Sequence, residues 1–598
     1  MKLSDYVIEY LQSTLGIRHI FMIVGGANMH LTDSVARNPK MTYVCVQHEQ
    51  AAAMAAEGYA RVKNGMGAAL VTSGPGGTNA LTGVCGAWMD SIPCLFLSGQ
   101  VSVKDYTDGK TIRQLGVQQI NIVEIVKSVT KYAAIVIEPA TIRYHLERAA
   151  YSAREGRPGP VWLDIPQNVQ MVAIDPQALQ PWIPEELPTL ARRFVDQIPD
   201  IIGLVRRARR PILIIGNGIR LAKAEVLLWQ LIEQVRFPII TTWSGADLIP
   251  EDHPLYVGRS GVFGQYGANF AVANADLIFS LGSRLDTRQT GTSRKTFARA
   301  AKKIVVDISP HELQKDLTDI DVPVHADCRE FLDQLVPALD RFAGQGISPW
   351  TQRCQEWKRR YPATIPAYYE EKDYVNSYVF VDVLCDELTR DDVIVTDMGT
   401  SLTCTHQAFK VKQGQRLFTN TGLASMGYGL PAAIGAWFSS GRDRVICIVG
   451  DGGLQLNIQE LQTIVQYKIP LKLFVMNNNG YLTIKHTQNT YFGGRITAAD
   501  PGSGYSTPNT VRVAQAYGIA TQVIETHKHL KDRIRAVLAT PGAVVCDVKM
   551  APDQPLVPIL LQHKRADGTI ATDPIERLSP YLPEDEFRAN MIVPVLED

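Results

Sequence analysis

The sequence predicts an α/β protein made of three doubly wound parallel-sheet domains in a row, and three observations predict it. At 598 residues the chain is too long for one hydrophobic core. Short apolar runs bounded by Gly or Pro alternate with amphipathic stretches, the mark of repeated strand–helix units. Two unpatterned stretches, 175–190 (Pro-rich) and 341–350, read as linkers that divide the pattern into three.

The elements follow in order. In the first domain, residues 1–174, MTYVCVQ (41–47) reads as a strand and EQAAAMAAEGYARVKNG (49–65) as a helix ending at glycine. GAALVTS (67–73) is the next strand, and Ser73-Gly74-Pro75-Gly76-Gly77 a turn that opens another helix, whose N-terminus suits an anion. The second domain, 191–340, resumes with PILIIG (211–216), FPIITT (237–242), DLIFSLG (276–282) and KIVVDIS (303–309). The third, 365–552, carries DVIVTDMG (392–399), RVICIVGDG (444–452), LKLFVMNNN (471–479) and AVVCDVK (543–549). Residues 553–598 are Pro-rich and lose periodicity, so an extended tail packed on the body is expected there. No internal repeat with clear residue identity is visible.

Composition narrows the function. Sixty basic residues balance 60 acidic ones, which gives no electrostatic reason to expect nucleic acid or an anionic membrane as partner. The opening MKLSDYVIEYLQSTLG (1–16) lacks a signal peptide's apolar core, and no later stretch reaches membrane-spanning length. The nine cysteines are scattered singly, mostly in apolar runs where they read as small buried hydrophobes. A soluble, reduced, cytoplasmic protein is the expectation.

The strongest chemical signal lies in the third domain. Gly450-Asp451-Gly452 ends one apolar strand and Asn477-Asn478-Asn479-Gly480 ends the next. Ligands of doubly wound sheets bind beyond the carboxyl ends of the strands, so both turns open on one edge. Asp451 and Asn478 offer oxygen ligands to a hard cation such as Mg²⁺, and the glycines let backbone approach a diphosphate. A Gly-Asp-Gly alone is an ordinary turn; followed by the asparagines it becomes a diphosphate–Mg²⁺ signature.

This pair resembles the thiamine-diphosphate motif, and over roughly residues 1–555 the chain resembles the large subunit of acetohydroxyacid (acetolactate) synthase. The resemblance rests on HEQAAAMAAEGYAR (48–61), TSGPGGTNALTGV (72–84), GRPGPVWLDIPQ (156–167), LGSRLDTRQTG (281–291), GLASMGYGLPAAIGA (422–436) and the paired turns, in the family's order. It implies a pyrimidine-binding first domain, a central flavin-type domain and a third domain that binds diphosphate and Mg²⁺.

Thiamine diphosphate reacts through a C2 carbanion, and a carboxyl group bonded to its aminopyrimidine promotes the tautomer that removes the C2 proton. The resemblance gives that task to Glu49, which follows an apolar strand and begins an alanine-rich helix. His48 reads either as a donor behind Glu49 or as a structurally satisfied histidine. Met426 is the large apolar residue expected beneath the cofactor, with Ala424 and Met426 backbone groups on the pyrimidine edge. Asp451, the Asn478 side chain and the Gly480 carbonyl are the implied metal ligands. Gly25, Ser73, Gly76, Gly399, Thr400, Gly450, Gly452 and Gly453 are implied to border the cofactor, and Gln118 the reacting centre.

The resemblance also implies FAD in a role without net redox work. Gly216-Asn217-Gly218 follows a strand but is not a full dinucleotide fingerprint. LGSRLDTRQTG is similar to a flavin-lining segment of the synthases and places Gly282, Ser283, Arg284, Asp286 and Arg288 there. Arg157, Thr242, Trp243, Gly261, Val262, Asp307, Ile308 and Asp327 complete the implied set.

Two departures bear on substrate. Where the family has a tryptophan beyond the double asparagine, ungapped alignment places Thr487, and where it has Phe-Gln this chain has Val117-Gln118. The expected reaction is decarboxylation of pyruvate, or a related 2-oxo acid, with transfer of the acyl anion to a ketone or aldehyde bulkier than pyruvate. Acetolactate synthesis proper, and dione hydrolysis or simple decarboxylation on the same scaffold, are the alternatives. Flavin-containing relatives that acetylate a nucleotide-activated keto sugar are also similar. A pyruvate oxidase fits the flavin segment less well, and a non-catalytic subunit has no need of Glu49, Asp451 and Asn478. A homodimer or homotetramer is expected, with Glu49 and Asp451 of one site drawn from different chains.

Overall fold

Strands β1 (His19–Met22), β2 (Thr42–Cys45), β3 (Gly67–Val71), β4 (Cys94–Gln100), β5 (Tyr132–Ile135) and β6 (Val161–Pro166) form one sheet in the order β2-β1-β3-β4-β6-β5. The structure, a computed structural model of one chain, describes residues 1–598 except 109–110, 185–192, 294, 317, 340–347, 565–569 and 597–598. The end of the first expected linker (185–190) and most of the second (341–347) lie outside the described residues.

The central sheet contains β7 (Pro211–Ile215), β8 (Ile239–Thr241), β9 (Tyr256–Gly258), β10 (Leu277–Leu281), β11 (Lys302–Asp307) and β12 (Val322–His325), ordered β12-β11-β10-β7-β8-β9. Counted from β7 as the first strand this is 3-2-1-4-5-6, the order of the dinucleotide-binding fold, with its switch point between β7 and β10. The third sheet contains β13 (Val393–Thr396), β14 (Arg416–Phe418), β15 (Val445–Gly450), β16 (Leu471–Asn477), β17 (Ala520–Ile524) and β18 (Val544–Lys549), ordered β14-β13-β15-β16-β18-β17. The first and third sheets therefore share one strand permutation. Neighbouring strands are parallel throughout. Helices cover both faces, so β3, β4, β6, β7 and β10 are buried along their whole length and are predominantly apolar, with Ser98, Gln100, Asp164 and Ser280 as buried polar exceptions.

The first and third domains meet along two small-residue helices, Glu49–Lys63 and Gly429–Ser440, whose sheets contribute to one apolar core. A β-carbon at Gly58 would lie 2.2 Å from the Ala432 carbonyl oxygen, and one at Gly435 1.9 Å from that of Ala55. Backbone thus touches backbone at this crossing, which only glycine permits. The Glu49–Lys63 helix stops before the expected glycine: Asn64 takes the left-handed cap, φ 50°, a conformation asparagine tolerates better than other non-glycine residues.

The final segment, expected to be extended, is only partly so. Ile559–Leu560 pairs antiparallel with Leu578–Ser579, Gln562–Lys564 with Ile570–Thr572, and Glu584–Asn590 is helical. Ile575 and Phe587 enter the central domain's core, and Asn590 accepts the Trp357 indole N–H at 2.8 Å. The periodicity is too short here to be legible in sequence. Among the described residues no helix is long and apolar enough to cross a membrane.

Candidate active site

β15 and β16 are neighbours in parallel register, Gly450 opposite Met476, so the two motif turns emerge side by side. Asp451 starts a short helix, is 1 % exposed, and accepts the Gly480 amide at 3.0 Å. Burial pushes its carboxyl up to about 6, against the backbone amides that favour the ionised form. Among the described residues it forms no ion pair. Asn478 donates its side-chain amide to the Thr400 hydroxyl at 3.2 Å, while its carbonyl oxygen is buried without a partner. A buried carboxylate with no countercharge beside an orphaned amide oxygen is costly unless a cation is present, and the donor set is the all-oxygen kind Mg²⁺ prefers. The residues fit the metal.

The surrounding glycines have different reasons. Gly399 (φ 77°) precedes Thr400 at the start of a nine-residue helix, and neither Gly399 nor Gly450 has anything within 4 Å of where a β-carbon would be. At Gly452 a β-carbon would lie 2.5 Å from the Tyr481 ring, and at Gly453 2.3 Å from Asp397. Asp397 was not marked by the sequence reading. Its buried carboxylate accepts the amides of Met398 and Gly427, at 2.8 and 3.0 Å, and pins the loop before Tyr428. The only advance signal was its place at a strand end in TDMG.

Glu49 is the first residue of its helix and 8 % exposed. Its Oε2 accepts the Asn79 side-chain amide at 2.9 Å. His48 is the helix cap, its Nδ1 accepting the Gln50 amide at 3.1 Å, so it is locally satisfied. Thr72 stands where β-carbons of Gly25 and Gly76 would be, at 2.5 and 2.8 Å, and Gly76's would lie 3.7 Å from Glu49 Oε1. The hydroxyls of Thr72 and Ser73 are buried and unpartnered. Glu49 therefore faces a polar, glycine-walled recess. Asn79 escaped the sequence reading although it lies within TSGPGGTNALTGV.

Gln118, at φ 66°, lies against Gly74, whose β-carbon would meet the Gln118 carbonyl oxygen at 2.7 Å. Its loop is held from below: the Gln100 side-chain amide bonds to the Ile120 carbonyl and to Asp164, each at 2.9 Å. Asp164 also accepts the Ser98 hydroxyl at 2.6 Å, and burial pushes its carboxyl to about 7. Val117 is 86 % exposed, and Thr487, bonded only to its own helix through Thr483, is also exposed. Ala424 (φ 58°) and Met426 pack with Trp243, Phe263, Met398 and Leu402. No hydrogen bond or ion pair of the described residues joins the Glu49 recess to the Asp451 turn.

A separate cavity of about 360 Å³ opens beyond the strand ends at the central switch point. Asn217, Gly218, Thr242, Trp243, Gly261, Gly282, Ser283, Arg284, Asp286, Arg288, Asp307, Ile308, Asp327 and, from the first domain, Arg157 all line it. Gly216 and Val262 are not in its wall. A β-carbon at Gly216 would strike the Gly282 carbonyl at 2.2 Å, and Val262 donates its amide to Arg288. Asp286 and Asp327 cap helices through backbone amides, and Asp307, raised by burial, accepts the Ser309 amide at 2.8 Å. Arg288 lies over the Trp243 ring at 5.1 Å. Glu312, which the sequence reading missed, gathers Arg157 at 2.8 Å, Arg284 at 3.2 Å and Lys315 at 2.7 Å. Burial alone would raise its carboxyl, but these three cations hold it below the usual range. An aromatic wall, glycines at close approach and the guanidinium groups of Arg157, Arg284 and Arg288 fit a flavin dinucleotide.

Known proteins match along the chain. Family models described as thiamine pyrophosphate enzyme N-terminal TPP binding domain, central domain and C-terminal TPP binding domain match residues 1–125, 198–335 and 397–548. The acetolactate synthase large subunit of Cyanidium caldarium is 32 % identical over 563 residues, 92 % of this chain and 93 % of that protein. The probable acetolactate synthase large subunit of Methanocaldococcus jannaschii is 32 % identical over 569 residues, covering 93 % and 94 %. The acetolactate synthase isozyme 3 large subunit of Escherichia coli is 31 % identical over 526 residues, covering 86 % and 88 %. Three matched domains in one order, with relatives above 30 % identity over most of the chain, make the chain a member of the thiamine-diphosphate-dependent enzyme family, of the acetolactate synthase type.

Proposed function

We propose that this enzyme decarboxylates pyruvate or a related 2-oxo acid and joins the acyl unit to a ketone or aldehyde bulkier than pyruvate. Thiamine diphosphate, held through Mg²⁺, and FAD in the central cavity are its cofactors in this reading. The observation that carries the acceptor choice is the pair Val117 and Thr487, both exposed and both smaller than the aromatics expected at the aligned positions.

When bound, thiamine diphosphate supplies the nucleophilic carbon and the electron sink for decarboxylation and acyl transfer. The chain's own residues bind and orient. Glu49, kept in place by Asn79, presents a poorly solvated carboxyl to the pyrimidine. Asp451, the Asn478 carbonyl oxygen and the Gly480 carbonyl would hold the metal. Met426 and Ala424 form the bed. Gln118, fixed over Gly74, stands at the substrate side. Arg157, Arg284 and Arg288 favour an anionic dinucleotide in a role without net redox work. A homodimer or homotetramer places Glu49 of one chain against Asp451 of another, and nine free thiols with balanced charge favour the cytoplasm.

Coupling of two pyruvate molecules is the second reading, favoured by the names of the similar proteins. Mass-spectrometric analysis of products, from pyruvate alone and from pyruvate with a panel of ketones and aldehydes, decides between them. A crossed product formed in preference to acetolactate supports the first reading. Acetolactate as the main product in every mixture overturns it.

A further inference from the structure

Asp90 sits where the three domains meet. It caps the first-domain helix Leu81–Met89 and lines the central cavity with Arg61 and with Thr421 and Gly422 of the third domain. Its carboxylate accepts the Arg61 guanidinium at 2.5 Å, the Thr421 amide at 3.0 Å and the Gly422 amide at 2.8 Å. The Thr421 hydroxyl lies 2.7 Å from that of Ser244 in the central domain. Arg61 is gripped in turn by Glu57 at 2.7 Å, and Glu57 accepts the Asn420 amide at 3.1 Å and the Tyr428 hydroxyl at 3.2 Å. One buried network of two carboxylates around one guanidinium therefore fixes both ends of segment 420–428 to the first domain.

That segment has two faces. Ala424 and Met426, assigned above to the thiamine bed, pack against the small core of Trp243, Met398 and Leu402, as does Phe263, and the Trp243 and Phe263 rings line the cavity. A ligand in the cavity would exclude water from the Asp90 carboxylate and from the Thr421 and Gly422 amides. Their hydrogen bonds strengthen as the local dielectric falls. The segment then loses its freedom once, and a second ligand that needs the same conformation no longer bears that cost.

We infer that Asp90 is a positioning residue through which a flavin dinucleotide in the central cavity and thiamine diphosphate on segment 420–428 bind cooperatively. This rests on the flavin reading above. Linkage requires that the effect be reciprocal: each cofactor tightens the other by the same factor.

The test uses the full-length protein stripped of cofactors. Affinity for thiamine diphosphate with Mg²⁺ is read from tryptophan fluorescence with and without FAD. Affinity for FAD is read from its own fluorescence with and without thiamine diphosphate. Each is expected to tighten the other about tenfold, within the usual range of such couplings. In Asp90→Asn both cofactors still bind, and the factor falls close to one. Should that variant not fold, Thr421→Val, which removes only the hydroxyl, is expected to reduce the factor in part. Mutually independent affinities in the wild type, or an unchanged factor in the variant, overturn the inference. Uptake of thiamine diphosphate with no FAD at any concentration overturns the flavin reading itself, and this inference with it.

Discussion

Asn79 donates its side-chain amide to Oε2 of Glu49 across 2.9 Å, from the end of the short helix that begins at the Gly-Pro-Gly-Gly turn. The bond fixes the carboxyl without occupying Oε1, which remains directed at the glycine-walled side of the recess. Glu49→Gln keeps the shape and removes the ionisable group. Turnover is expected to fall by two or more orders of magnitude, roughly 3 kcal/mol in barrier, with the fold retained. Asn79→Ala should cost roughly tenfold, the scale of one hydrogen bond to a charged group. Steady-state kinetics with circular dichroism checks both, and near-normal turnover in Glu49→Gln would sink the assignment.

The orphaned Asn478 carbonyl beside Asp451 makes a claim about metal. Asp451→Ala is expected to abolish high-affinity thiamine diphosphate binding, because the diphosphate then lacks its bridging cation. EDTA should inactivate the wild-type enzyme, and Mg²⁺ should restore it. Calorimetry that finds cofactor affinity unchanged in the variant refutes the cation seat.

Asp164 gives a pH dependence. Its folded carboxyl titrates near 7 against roughly 4 when unfolded, so its contribution favours the fold below about pH 4 and is lost as pH rises through about 7. Wild-type stability should therefore decline between these values relative to Asp164→Asn, by on the order of 4 kcal/mol. Urea unfolding of both proteins at several pH values is the measurement. Parallel curves would mean that the Ser98 and Gln100 bonds hold the carboxyl ionised throughout.

Glu49 and Asp451 are joined by no polar contact of the described residues within one chain, which motivates a mixing experiment. Inactive Glu49→Gln and Asp451→Ala proteins, unfolded and refolded together, should regain activity, because a mixed dimer holds one intact site. Failure of every mixture, alongside active monomers in light scattering, contradicts a site shared between subunits.

Thr487→Trp tests the acceptor. Added bulk at a pocket wall discriminates by about 1–3 kcal/mol, so the ratio of kcat/KM for bulky over small acceptors should fall tenfold or more. Decarboxylation of pyruvate should be spared. An unchanged ratio means that Thr487 does not face the acceptor.

Much of this molecule was legible in its sequence, for physical reasons. Strands covered on both faces are mostly apolar along their length, so β7, β10 and β15 stood out as short apolar runs, each ending at glycine. The common permutation of the first and third sheets was invisible, because topology constrains which strands are buried and not which residues bury them. Asp451, Asn478 and Glu49 could be singled out as candidates because the motifs fix residue type as well as spacing. Asn79, Asp90, Asp397 and Glu312 were not. Asp90 meets Thr421 across 331 positions of chain, and nothing local distinguishes it from a helix-ending aspartate. The helix end at Asn64 rather than Gly65 shows the limit of punctuation rules where two residues can take the left-handed cap.

The glycine crossing has an evolutionary consequence. Any side chain at position 58 or 435 must part the two helices by about an ångström or more, since a carbonyl already occupies the β-carbon's place. One of those helices opens with Glu49, and the other begins just after the loop of Met426. A wedge at the crossing would therefore misalign the acid and the bed in a single step, before the sheets themselves came apart. On the roles proposed above for Glu49 and Met426, drift at these two positions would register as lost turnover in a protein whose sheets remain intact.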